Sequence, residues 1–171
     1  LHPRKNIIGL MKGFDSFCEK TESGVKLLVI GEHMWKNKDT KQVFEQLKHK
    51  NRILFLGRKE IDELTKIAGA AIALTFLPFC EGFGIPLAEA MHCHTPIIAS
   101  DVSCMPEIAG NTAIYINPNE ENDIADAMME MYFNTEKRTE LIENCKIRKT
   151  VFSWDKAADE VWNILAKSSV C

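Results

Sequence analysis

Apolar positions recur at helical spacing over residues 5 to 21, where Ile7, Leu10, Met11, Phe14, Phe17 and Cys18 share one face. The pattern then changes. "VKLLVIG", 25 to 31, is a continuous apolar run closed by glycine, and so is "RILFLG", 52 to 57. Residues 39 to 49 and "KEIDELTKIA" predict amphipathic helices. "AAIALTF", 70 to 76, predicts a third strand, followed by a helix from about Pro86 to His92. "PIIAS", 96 to 100, and "AIYI", 113 to 116, predict two more strands, with a short helical turn near Pro106 between them. Only helical patterns follow, near 121–133, 136–149 and 154–167. "MMEMYF" predicts core with one exposed glutamate, and Trp154, Trp162 and Leu165 predict a packed helix face.

Strands that are apolar throughout, without alternation, are buried on both faces. Strands separated by helices need crossovers and so form a parallel sheet. The pattern therefore predicts a doubly wound α/β domain of Rossmann-like type, with helices on both faces. Such sheets bind ligands at the carboxyl ends of their strands.

Composition narrows the function classes. The chain has 171 residues, enough for one compact domain. Apolar residues make up 46% and charged residues 26%, as in ordinary globular proteins. Net charge is −3 with no basic stripe, which argues against nucleic acid as a partner. No apolar run approaches the roughly 20 residues that span a bilayer, and "LHPRKNIIGL" has no signal-peptide core. The six cysteines (18, 80, 93, 104, 145 and 171) contain no CxxC pair. They predict reduced intracellular thiols rather than a disulfide frame or a zinc site.

The chemistry concentrates in "CEGFGIPLAEA", 80 to 90, between the third strand and the next helix. Pro86 suits the first helical position, which would leave the amides of Leu87, Ala88 and Glu89 facing the loop as an anion site. Gly82 and Gly84 allow close backbone approach or positive φ. Carboxylates repel phosphate but suit vicinal hydroxyls, so Glu81 and Glu89 on either side of an anion site fit a ligand with hydroxyls at both ends. A nucleoside diphosphate sugar has that layout. Taken singly, each feature also has a bland reading: a tight turn, a carboxylate favoured by the helix dipole, a solvated loop residue. Their coincidence on one strand–loop–helix favours the ligand.

These residues carry a resemblance. "EGFGIPLAEAM" resembles the E-x7-E signature of retaining glycosyltransferases of family four, the glycosyl transferases group 1, which have the two-domain GT-B fold. "HPRKNIIGLMKGF" is similar to that family's opening of the second domain, "HTPIIASDVSCMPEIAG" to the segment after the signature, and "FSWDKAADEVW" to the entry of the C-terminal helix. The resemblance implies that Glu89 holds the donor ribose and that Glu81 stands at the transferred sugar. It implies that Gly82, Phe83 and Gly84 form the loop meeting sugar hydroxyls or phosphate, with Ile85, Leu87 and Ala88 giving backbone near the diphosphate. Lys5, assisted by Arg4, matches the cation that neutralises the diphosphate, and Arg58 sits where the family lines the nucleobase. Asp101, Ser103 and Glu107 lie near that site and are expected to be structural support.

The implied activity is transfer of a hexosyl group from a UDP-, GDP- or ADP-linked sugar to an acceptor glycan or lipid-linked glycan, with retention. It needs no cofactor, and no DxD pair is present to hold a metal ion. The family's second domain begins with a central strand before "HPRKN", whereas this chain begins inside the loop that follows. That implies a longer protein, with an N-terminal acceptor domain as the chain's own partner and a cytoplasmic place, peripheral at a membrane in the full protein. A binding module that holds a nucleotide sugar without transferring it is the other class; an upstream α/β domain would separate the two. A dinucleotide oxidoreductase fits less well, because "VIGEHMW" carries one glycine only. "HCH", 92 to 94, stands where the family has small residues and glycine. Residues i and i+2 do not share a helix face, so a shared metal is disfavoured and His94 is expected to cap the helix in a left-handed conformation.

Overall fold

The structure, a computed structural model, describes residues 2–32 and 38–168. A 3-10 turn, Pro3–Lys5, leads into α1 (Ile7–Lys20) and β1 (Leu27–Ile30). Then come α2 (Lys38–Gln46), β2 (Ile53–Gly57), α3 (Ile61–Ala70), β3 (Leu74–Phe76) and α4 (Ile85–His92). The remainder is β4 (Ile97–Ser100), α5 (Met105–Ala109), β5 (Ala113–Ile116), α6 (Glu121–Phe133), α7 (Thr135–Arg148) and α8 (Trp154–Ser168).

All strand pairs are parallel: β1 with β2, and β4 between β3 and β5. Alternate residues of β4 serve opposite faces. Ile98 enters the core under α1 and α6, while Ile97 and Ala99 enter a second core under α4 and α5. β5 divides the same way, with Ile114 and Ile116 on the first side and Ala113 and Tyr115 on the second. Helices thus cover both faces, as the continuous apolar runs require. Each fully buried large side chain contributes roughly 1.5–3 kcal/mol, so Met11, Phe17, Ile98, Ile124 and Met131 make the first core the main anchor.

Several boundaries moved for local reasons. α2 stops at Gln46, not residue 49, because the Asp15 carboxylate takes the amides of Lys48 (3.2 Å) and His49 (2.7 Å). β3 is shorter than 70–76, since Ala70 completes α3 and the Ala71 amide closes that helix on Ala68 O at 3.0 Å. β1, with one neighbour, is not buried on both faces: Leu28 is 40% exposed.

α8 differs most from expectation. Trp154, Trp162 and Leu165 are exposed, at 89%, 71% and 57%, instead of forming a packed face. All three side chains stay more than half exposed, although Trp154 lines a groove with Leu64 and Phe152. Phe133, at the end of "MMEMYF", is exposed as well.

His94 ends α4 as expected, at φ +56. Its amide donates to Met91 O (3.1 Å) and the Thr95 amide to Ala90 O (2.9 Å), a Schellman pair that satisfies the last carbonyls.

α1 and α6 cross closely at Gly13. A Cβ there would stand 2.4 Å from Ile124 Cγ2. Overpacking costs about 1–3 kcal/mol, whereas alanine's helix preference over glycine returns about 1 kcal/mol at most. Gly13→Ala is therefore expected to lower the urea midpoint with an unchanged slope. An unmoved midpoint would mean that the two helices separate without loss.

Candidate functional site

The site grows from three loops at the carboxyl edge of the strands. The first precedes α1. Asn6 stands at φ +52, accepts from the Gly9 amide (3.2 Å) and so caps the helix. Its amide nitrogen donates to Pro118 O beyond β5 at 2.6 Å, and the whole residue is buried. The Arg4 carbonyl takes the Phe79 amide at 2.8 Å, binding this loop to the one after β3. Arg4 and Lys5 are thereby brought over the glycine loop.

There they meet Glu81. Its Oε1 is buried, is paired with the Lys5 ammonium, and lies 3.5 Å from Arg4 Nε. Lys5 also sits over the Phe76 ring, 4.7 Å from the centroid, so β3 itself supplies part of the cation's seat. The Glu81 side chain is 11% exposed, Lys5 24% and Arg4 48%. Solvent screens the Arg4 contact more, so Lys5 is the stronger partner. Burial works to raise the Glu81 carboxyl, but Lys5 and then Arg4 outweigh it and hold the group below the usual carboxylate range.

The second loop turns into α4. Gly84 is the residue before the helix, at φ +88. A Cβ there would come within 2.8 Å of Leu87 Cδ1 and of Met105 Cε, so glycine is required for both conformation and space. Ile85, not Pro86, is the first helical residue, and the Leu87 amide is spent on Gly84 O at 2.9 Å. The expectation that Leu87, Ala88 and Glu89 all leave free amides fails at Leu87, because Pro86 one place later tightens the first turn. The Leu87 side chain is fully buried.

Glu89 occupies different surroundings from Glu81. With Ile85 and Ala88 it lines a largely apolar groove of about 930 Å³, whose other walls include Leu64 of α3, Phe152 and Trp154. Phe83 reaches the same groove and packs edge-on against Phe152, with centroids 5.7 Å apart. Gly82 is exposed, with nothing within 4 Å of a Cβ. Arg58 is exposed at the end of β2, joins neither the ion cluster nor the groove lining, and follows Gly57 at φ +68.

The sequence reading placed Ser103 nearby as support but did not foresee that Ser103 and Cys104 both contact the Glu81 main chain. It also missed Asn6 and Phe76. Asparagine just before an amphipathic helix was the available signal for the first; nothing in the sequence marks Phe76 as a seat for a cation.

Parallel strands with helices on both faces, their loops meeting at a cation–carboxylate cluster, make this a Rossmann-like domain. The chain belongs to the glycosyl transferases group 1 family, whose model matches residues 1–148. It is 26% identical over 163 residues to the O-antigen chain mannosyltransferase B of Escherichia coli, covering 95% of this chain and 43% of that protein. It is 29% identical over 175 residues to the O-antigen chain mannosyltransferase RfbU of Salmonella typhimurium, covering 97% and 45%. The chain thus spans less than half the length of these relatives. The fold is shared with Anabaena Alr3699/HepE in complex with UDP, at TM-score 0.85 and 20% identity, covering 98% of this chain and 46% of that one. It is that of the C-terminal domain of a GT-B glycosyltransferase.

The depressed Glu81 carboxyl sets a pH dependence. A folded-state value below the unfolded one stabilises above the carboxylate range and is lost as pH falls through the folded value. The stability difference between wild type and Glu81→Gln should therefore be level above about pH 6 and shrink below the ordinary glutamate value of about 4.3. A difference independent of pH in thermal melts would show that the ion pair does not couple to folding.

Proposed function

We propose that the chain is the donor-binding part of a retaining glycosyltransferase, moving a hexosyl group from a nucleoside diphosphate sugar to a glycan or lipid-linked glycan hydroxyl. The observation that carries this reading is the Lys5–Arg4–Glu81 cluster on the glycine loop, beside the start of α4. The family and the O-antigen mannosyltransferase relatives support the class of reaction and put a mannosyl donor first among the hexoses to test. UDP in the Anabaena structure supports a nucleotide ligand for this fold.

In the reaction the anomeric carbon–oxygen bond to phosphate breaks and its electron pair stays on the leaving diphosphate. Lys5 and Arg4 stabilise that charge. The acceptor oxygen bonds to the same face of the anomeric carbon, and its proton passes to the leaving phosphate oxygen. Glu81 faces the sugar hydroxyls, while Glu89, at the groove, takes the ribose. No side chain of the chain serves as nucleophile.

The chain spans less than half the length of its relatives, which supports a working enzyme that also includes an N-terminal acceptor domain. The exposed Leu28 on β1 and the exposed Trp162 and Leu165 on α8 suit such a neighbour. The free thiols at Cys18, Cys80, Cys93, Cys104 and Cys145 suit the cytoplasm, and among the described residues no helix is long and apolar enough to cross a membrane.

The two carboxylates separate in a titration of the full-length protein. A charge-assisted hydrogen bond is worth roughly 1.5–3 kcal/mol, about ten- to hundredfold in affinity. Glu89→Ala should weaken free nucleoside diphosphate by that factor. Glu81→Ala should leave it unchanged or tighten it, since Lys5 is released, and should lose affinity only for the intact donor. Equal losses of free diphosphate affinity in both variants would sink this division of roles. Donor affinity should also survive EDTA; a loss restored by Mg²⁺ would overturn the cationic clamp.

A further inference from the structure

Three residues other than glycine stand at positive φ among those described: Asn6, His94 and Ser103. The first caps the start of α1 and the second closes the end of α4. Ser103, at φ +60, does neither, because Cys104 is the residue preceding α5. A left-handed serine is disfavoured where glycine would sit without strain, so its side chain must matter.

That side chain is engaged entirely with Glu81. The Glu81 amide donates to Ser103 Oγ at 3.2 Å, and Ser103 Oγ donates to the Glu81 carbonyl at 2.8 Å. The Cys104 thiol donates to the same carbonyl at 3.2 Å. One hydroxyl thus closes on both backbone groups of a single residue, as a strand partner would. The loop needs such a hold. Gly82 follows directly, with open space where a side chain would stand, and Gly84 after it supplies the turn. Ser100, the last residue of β4, donates to Pro78 O at 2.8 Å, so the end of β4 and the loop that follows it brace the segment after β3 at two points.

We propose that Ser103 is a positioning residue for Glu81, its hydroxyl fixing the glutamate main chain so that the carboxylate stays seated on Lys5 and Arg4. This rests on the donor-binding reading only for its effect on ligand, not for the contact itself. The charged groups facing the Glu81 carboxylate are Lys5 and Arg4, both from the loop before α1; Ser103 and Cys104 reach only its backbone.

The test is a carboxyl-carbon NMR titration of Glu81 in the full-length protein, assigned with Glu81→Gln, alongside thermal melts and donor titrations. Ser103→Gly removes the hydroxyl and the strain together; Ser103→Ala removes the hydroxyl alone. Loosening Glu81 from the cations should raise its titration midpoint in both variants, by about half a pH unit, a threefold gain in proton affinity. Ser103→Gly should do so while melting at or above the wild-type temperature, which a merely structural serine would not allow. If Ser103→Ala fails to fold, the glycine variant still decides. An unchanged Glu81 midpoint in Ser103→Gly overturns the proposal. Donor affinity should fall about tenfold relative to free diphosphate. A shifted midpoint with unaltered donor affinity would uphold the positioning role and refute Glu81's role at the sugar.

Discussion

Every strand pair in this domain runs in one direction, and that constraint organises all the rest. Parallel pairing forces each connection to cross back over a face of the sheet, and it delivers every strand-to-helix loop to the same edge. The loops after β3 and β4 therefore lie side by side, close enough for Ser100 and Ser103 to bond the main chain opposite. The loop before α1 is drawn to that edge by Asn6 and by the Arg4 carbonyl. Chemistry collected from distant parts of the chain meets there because the topology leaves it nowhere else to go.

Within that edge, one partly buried carboxylate is set against two cations of unequal exposure. The arrangement keeps a net positive charge beside the first turn of α4, where the helix dipole also favours an anion. Glu81 moderates this field without cancelling it. Its own charge is secured by Lys5 and Arg4, while its main chain is secured from the other side by Ser103 and Cys104. Side chain and backbone are thus held by separate groups on separate loops.

The sequence made the architecture legible because it rests on periodicity. Continuous apolar runs at "PIIAS" and "AIYI" marked strands with both faces covered, and β4 and β5 divide their residues between two cores accordingly. Glycines on either side of a phenylalanine, a proline just inside a helix, and two glutamates were local signals, and they singled out the loop in which Glu81 meets Lys5 and Arg4. What stayed hidden was tertiary. Nothing along the chain says that Lys5 rests on Phe76, or that Asp15 would take the amides ending α2. The α8 stripe shows the limit most clearly. Trp154, Trp162 and Leu165 announce an amphipathic helix, but periodicity reports which face is apolar and not what lies against it.

The two glycines on either side of Phe83 differ in how much change they admit. At Gly84 a side chain is barred twice over, once by the backbone angle and once by Leu87 and Met105, so repairing either obstacle leaves the other. That position is closed to drift by single steps. Gly82 faces open space and carries no such angle, so the loop can be diversified there without disturbing the turn it feeds. A library built to alter what the loop presents to a ligand would thus have one productive position and one fixed pivot, two residues apart.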